Sequence, residues 1–253
     1  MKKSAAERTI GEEEVLRAEE SGVYKRHPAV IAVRSFVYSV ILSAFIYELV
    51  RVGKGGEVTM RLFSPLIASA CLGVIELIEK AGRIRMPAYL DIAAHLFVCG
   101  CLPLGSTYAF YSVVPGWDKL LHTFSGFVFY FSGLCIGGLL AGKAEGRRRV
   151  AIVVVTGLAI ALSVGYLWEL FEYAGDSFFG MDNQRWQGGI LGTTEDGYYI
   201  TSDPRGTALI DTMTDMLVNF IGIMLCFVPT LIAFLHKPSR VDNFTFVKVP
   251  KKQ

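Results

Sequence analysis

Residues 150–173 read VAIVVVTGLAIALSVGYLWELFEY. No charged side chain occurs in this run before Glu169. A helix rises about 1.5 Å per residue, and a hydrocarbon core roughly 30 Å thick needs about 20 residues of it. The run therefore reads as a transmembrane helix that carries Glu169 and Glu172 at one end. Working outward, five more apolar runs of similar length lie at 29–50, 62–79, 88–113, 119–141 and 208–236, separated by charge or Gly/Pro breaks. The third contains Pro103, which is expected to kink it. The fold class that follows is an all-α polytopic membrane protein with six transmembrane helices in one bundle.

Composition agrees. Of 253 residues, 52% are hydrophobic and 19% charged, and the mean hydropathy of +0.43 is high for a soluble domain. A net charge of +2 provides no basic field, so nucleic acid is excluded as a partner. Cys71, Cys99, Cys101, Cys135 and Cys226 lie inside apolar stretches without a C-x-x-C, so neither a disulfide framework nor a structural zinc site follows.

The domain organisation is a polar tail over 1–28, with a short helix expected around 12–20, then the transmembrane domain over 29–236 and a second polar tail over 237–253. The first tail lacks an apolar h-region and does not read as a signal peptide. Lys and Arg concentrate in both tails and in the loops holding Lys80, Arg83, Arg85, Lys143 and Arg147–Arg149. The opposite side holds Arg51, Lys54, Arg61, Arg185 and Arg205. Positive charge is retained in the cytoplasm, so both termini are expected there, in a bacterial cytoplasmic membrane.

Ionisable residues in a membrane helix cost roughly 2.5 to 3.5 kcal/mol each on insertion scales and need a partner or a purpose. They sort into two layers. In the outer one, Asp118 and His122 are four apart, as are Asp211, Asp215 and Asn219, while Glu169, Glu172 and Asp176 are three and four apart. Each set occupies one helix face. Six carboxylates against one histidine, with Lys119 nearby, suggest excess negative charge without a built-in counter-ion. Imidazole with carboxylates suits a divalent metal such as zinc, manganese or iron. His122, Glu169 and Asp215 are the expected ligands, with Asp118, Glu172 and Asp211 as further ligands or general base. The competing reading is mutual hydrogen bonding at a wet interface, with Asp118 and Asp211 capping their helices. The inner layer, Arg34, Glu76, Glu79, Asp91 and His95, holds its own cation and reads as a structural ionic network, with a proton or cation relay as the alternative.

The outer loop 176–207 contains Gly188, Gly189, Gly192, Gly197 and Gly206, with turn signals at Asp196-Gly197 and Asp203-Pro204. It is expected to form either a short hairpin or lid offering Trp186, Tyr198 and Tyr199 to a sugar or lipid headgroup, or a flexible connection. Gly133 and Gly137 form a small-x-x-x-small pair suited to close packing, inside the chain or in a homo-oligomer.

The run Trp117-Asp118-Lys119-Leu120-Leu121-His122, then Glu169-x-x-Glu172 and Asp211-x-x-x-Asp215-x-x-x-Asn219-x-x-Gly222, resembles the core of the VanZ-like and YjdF-type bacterial membrane proteins. The segment 95–115, with Gly105, Thr107 and Tyr108, is more similar to the YjdF type. The resemblance covers roughly residues 88 to 225. It implies a link to the cell envelope, through the altered glycopeptide sensitivity associated with VanZ-like proteins, and does not imply an enzymatic activity. Two added N-terminal spans and the long outer loop set this chain apart from simple VanZ-like proteins.

Three functions stay open. The first is an outward-facing, metal-binding site that binds or hydrolyses an envelope lipid or lipid-linked precursor. A proton- or cation-coupled transporter is the second, and a structural or regulatory membrane subunit the third. No serine nucleophile motif, phosphate loop or redox motif sharpens the enzyme reading.

Overall fold

The computed structural model describes residues 26–201 and 207–249. The helix expected around 12–20 and the Asp203-Pro204 turn lie outside these residues. Six helices are long and apolar enough to cross a membrane: α1 (Pro28–Gly53), α2 (Met60–Gly82), α3 (Ala88–Thr107), α4 (Trp117–Leu140), α5 (Gly146–Phe179) and α6 (Thr207–His236). They pack into one all-helical bundle. Pro28 begins α1, where its missing N–H removes a donor that would be orphaned anyway. The His27 side chain accepts from Ala29 N at 3.2 Å and caps that turn.

Pro103 does not simply kink α3. From Gly100 to Thr107 the helix widens into π-helical turns, in which the proline's absent donor disrupts the α-helical ladder least. Tyr108 N reaches Pro103 O at 2.9 Å, and Trp117 Nε1 donates to the Gly100 carbonyl at 3.2 Å. The chain then leaves the helix through Ala109, at φ +60°, so the third span ends short of residue 113. A single helical turn, Phe110–Val113, leads to α4.

The core lies where α4, α5 and α6 meet, around Tyr130, Leu134, Val153, Ile223 and Phe234. Close approach depends on absent side chains. A Cβ on Gly133 would stand 2.7 Å from the Cα of Gly157, and one on Gly126 would stand 2.5 Å from Asn219 O. Gly133 and Gly137 thus pack α4 against α5 within the chain. A smaller core around Val37, Ala68, Leu72 and Cys99 joins α1, α2 and α3.

The C-terminal segment is not simply a solvated tail. Residues Pro238–Phe244 form a 3₁₀ turn, and β4 (Val247–Lys248) pairs antiparallel with β1 (Ile84–Arg85), Arg85 opposite Val247. Phe244 packs on Tyr89, Phe131 and Phe234 at centroid distances of 5.8, 5.7 and 5.4 Å. In the outer loop, β2 (Ile190–Thr193) and β3 (Tyr199–Thr201) form the hairpin, turning at Gly197 with φ +84°.

Candidate functional site

At the end of the bundle where α4 and α6 begin and α5 finishes, α4 contributes Asp118, Lys119 and His122, α5 contributes Glu169, and α6 contributes Asp211 and Asp215. The four-residue spacings lay each pair along one helix stripe, and the close α4–α6 packing brings the stripes together. Asp215, Glu169 and His122 are buried, at 1%, 5% and 9% exposure.

A counter-ion is present, contrary to the sequence reading. Lys119 Nζ donates to Asp211 Oδ1 at 2.6 Å and to Asp215 Oδ2 at 2.7 Å, and stands 3.5 Å from Asp118 Oδ2. At α-helical spacing Lys119 lies about 100° round the helix from Asp118, so it read as a bystander to the Asp118–His122 stripe. Its long stem carries the ammonium across to α6. Arg185, half-exposed on the outer loop, adds a second cation at 3.7 Å from Asp118 and 4.0 Å from Asp211. Among the described residues neither aspartate caps its helix by side chain as the competing reading expected. Gly116 occupies the N-cap of α4, and Asp211 is held by Lys119.

His122 stands among the acids without a hydrogen bond from its ring among the described residues. Its Nε2 lies 3.7 Å from Asp118 Oδ1 and 3.9 Å from Asp215 Oδ1, while its Nδ1 lies 3.8 Å from Glu169 Oε1. Single donor atoms of Asp118, His122 and Asp215 all fall within 4.8 Å of one another. These separations exceed hydrogen bonds and suit three ligands of one ion bonded at about 2.0 to 2.2 Å. Asp215 Oδ1, Asp211 Oδ2 and both carboxylate oxygens of Glu169 are buried without a hydrogen-bond partner among the described residues.

The other predicted site residues take different places. Glu172 accepts Trp168 Nε1 at 2.8 Å on its own helix. Asp176 accepts the backbone N–H groups of Asn183 and Gln184 at 2.7 and 2.9 Å, so it anchors the outer loop. Asn219 bridges to α4, donating to Ser125 Oγ at 2.8 Å and to His122 O at 3.3 Å. Trp186, expected to contact a headgroup, donates its Nε1 to Met181 O, whereas Tyr198 is exposed.

The inner set does assemble. Arg34 forks onto Asp91 through Nε and Nη2, both at 2.8 Å, and reaches Glu76 at 2.8 Å. Arg26 bonds Asp91 at 2.6 Å and also Glu79, and Arg85 bonds Glu79 at 3.0 Å. His95 Nδ1 meets Asp91 O at 2.8 Å. Sequence reasoning missed Arg26 and Arg85 because both stand outside the apolar runs. It also missed Glu48, fully buried on α1, which Arg51 contacts at 2.7 Å and Arg61 at 3.4 Å. The signal available was Glu48–Arg51 spacing on one helix face.

The family described as "Predicted membrane protein (DUF2238)" matches residues 33–237, which take in α2 to α6 whole, α1 apart from its first turn, and both ionic layers apart from Arg26. The chain belongs to the DUF2238 family. No curated protein and no solved structure matches it. What DUF2238 membership gives is an integral membrane protein embedded in a lipid bilayer, in keeping with the six apolar helices. Within that DUF2238 span, Asp118, His122, Glu169, Asp211 and Asp215 are the residues that converge.

Proposed function

We propose that this protein binds a divalent metal through Asp118, His122 and Asp215 at the outward end of its bundle and acts there on an envelope lipid or lipid-linked precursor. The observation that carries the reading is Asp215 Oδ1, buried without a donor and facing His122 Nε2 and Asp118 Oδ1. Burying an unpaired carboxylate oxygen is costly. Charge balance supports the same reading. Four carboxylates, Asp118, Glu169, Asp211 and Asp215, face Lys119 and the rim residue Arg185, so the ionised cluster lacks two positive charges. Zinc, manganese or iron fits a nitrogen and two oxygens.

Bound there, such an ion supplies Lewis acidity and an activated water. The chain's own part is positional. Lys119 holds Asp211 and Asp215 in place, and Asp211 Oδ2, without a donor among the described residues, would be the general base for such a water. Glu172 and Asp176 are assigned no part in this step. The substrate is an amphiphile because the site lies within the first turns of α4 and α6, at the bundle end where a headgroup resides. The envelope and the bacterial plasma membrane enter from the VanZ-like and YjdF-type resemblance and from the charge asymmetry, which puts both termini in the cytoplasm.

A cation-coupled transporter is the second reading, favoured by His95 Nε2, fully buried without a hydrogen-bond partner among the described residues. It carries less weight because Arg26, Arg34 and Arg85 saturate the inner carboxylates. Elemental analysis of detergent-purified protein after dialysis against metal-free buffer tests the primary reading. One equivalent of transition metal in the parent, lost in folded H122A and D215N, supports it. No metal in the parent sinks it and leaves transport or a structural cluster.

A further inference from the structure

The two nitrogens of the His122 ring face different partners, and that division carries a further step that rests on the metal reading. Nε2 points toward Asp118 and Asp215, at 3.7 and 3.9 Å, whereas Nδ1 points toward Glu169, at 3.8 Å. A neutral imidazole has one N–H and one lone pair, so its nitrogens cannot both be ligands and cannot both be donors. Glu169 also stands outside the trio of Asp118, His122 and Asp215 whose ligand atoms lie within 4.8 Å of one another. It sits across the ring, on another helix, 5% exposed, with Thr212 the nearby hydroxyl and no donor within hydrogen-bond geometry of either carboxylate oxygen among the described residues.

We propose that Glu169 is the positioning residue of this site: its carboxylate accepts the Nδ1–H of His122, which fixes the tautomer whose Nε2 lone pair faces the cation position between Asp118 and Asp215. Histidines that bind metals almost always donate their second nitrogen to a carboxylate, carbonyl or water, which fixes the ring and raises its basicity. The carboxylate that faces Nδ1 is Glu169, 3.8 Å away. Geometry also explains why Glu169 is on α5. A carboxylate on α4 or α6 at this level already faces Nε2 or Lys119.

The test uses the full chain in detergent with Co²⁺ as the probe, read by its visible absorption, and with ¹⁵N-histidine labelling. The chain has four histidines, so the His122 signals are assigned by their loss in H122A. Parent protein is expected to hold His122 in the Nδ1–H tautomer and to bind Co²⁺ stoichiometrically. E169M, which replaces an unpartnered buried carboxylate by an apolar side chain of similar size, is expected to fold, to mix the two tautomers and to weaken Co²⁺ binding by about 10- to 100-fold with an unchanged absorption envelope. E169Q keeps an acceptor oxygen and is expected to fall between. An altered envelope in E169M would make Glu169 a direct ligand and overturn the proposal. So would unchanged affinity and tautomer in E169M alongside lost binding in D215N, which leaves the metal reading intact. Absence of Co²⁺ binding in the parent overturns both, and the two failures are thereby told apart.

Discussion

Lys119 holds one oxygen of Asp215 and leaves the other free: Nζ donates to Oδ2 at 2.7 Å, while Oδ1 is buried beside His122 Nε2 without a donor. The same ammonium donates to Asp211 at 2.6 Å, so one cation bridges two carboxylates from one helix face and neutralises one of the two charges. Lys119 and a metal are then not competitors for one atom. The lysine orients Asp215 so that its second oxygen is available.

That division makes Lys119 testable apart from any chemistry. K119M leaves Asp215, 1% exposed, and Asp211 facing each other without their cation. Stranding a buried partner costs about 3–5 kcal/mol in a fully buried pair. The Lys119 side chain is 30% exposed, so the expected loss is smaller. Thermal unfolding in detergent should show K119M below the parent and K119M/D215N recovering part of the difference. Equal melting temperatures for K119M and the parent would mean that the ammonium is not the counter-ion.

The inner layer makes a contrasting prediction about which ionic contact matters. Arg34 forks onto Asp91, whose side chain is 1% exposed, yet its Glu76 partner is 46% exposed. R34M is therefore expected to destabilise the α1–α3 contact by about 3 kcal/mol, the lower end for buried pairs, because Arg26 still reaches Asp91. E76Q should change stability by less than about 1 kcal/mol, as exposed pairs do. Chemical denaturation of both variants separates these values, and a large effect of E76Q would show the network to be read the wrong way round.

The contrast between the two layers also shows what was legible before the structure. Hydropathy set the six spans, since a run such as 150–173 has no other economical burial. Four-residue spacing grouped Asp118 with His122 and Asp211 with Asp215, because periodicity assigns faces within a helix. Neither signal reports which helix a long side chain crosses to, so Lys119 read as nearby charge and Arg26 as part of a solvated tail. Nor does spacing distinguish Glu169 from Glu172, three residues apart on α5. One faces His122 and the other accepts from Trp168. The docked C-terminal segment was hidden for a related reason: Val241, Phe244 and Phe246, scattered through a polar stretch, are apolar anchoring enough to seat it.

Helix approach controls the site as much as charge does. A Cβ on Gly222 would collide with the Thr123 carbonyl of α4, backbone that cannot yield. G222A is expected to push α6 from α4, to cost about 1–3 kcal/mol and to weaken the Asn219–Ser125 contact one turn away. A Cβ on Gly73 of α2 would meet nothing within 4 Å. G73A removes a helix-interior glycine and should be neutral or stabilising by up to about 1 kcal/mol. Comparing melting temperatures of the two variants checks the packing, and a G222A as stable as the parent would contradict the α4–α6 approach.

The C-terminal segment gives the last prediction. Phe244 stacks on Phe131 at 20° between ring planes and meets Tyr89 and Phe234 edge-on or tilted. Val241 is 1% exposed beside it, and Arg149 Nε holds Asp242 at 2.8 Å. Aromatic contacts of this kind add about 0.5–1.5 kcal/mol each beyond area burial, and truncating a large core aromatic costs about 3–5 kcal/mol. Phe244 is only partly buried, so F244A is expected to lose about 2 kcal/mol. Arg149→Gln removes a contact to an aspartate that is 54% exposed and should lose less than about 1 kcal/mol. Because β4 pairs with β1 immediately before Met86, whose N–H bonds Glu79, detachment of the segment should also loosen the inner ionic layer. Hydrogen exchange at Arg85 and Met86 reads that coupling directly: faster exchange in F244A than in Arg149→Gln is the expected outcome, and equal protection in both would show that the segment is a passenger on the bundle.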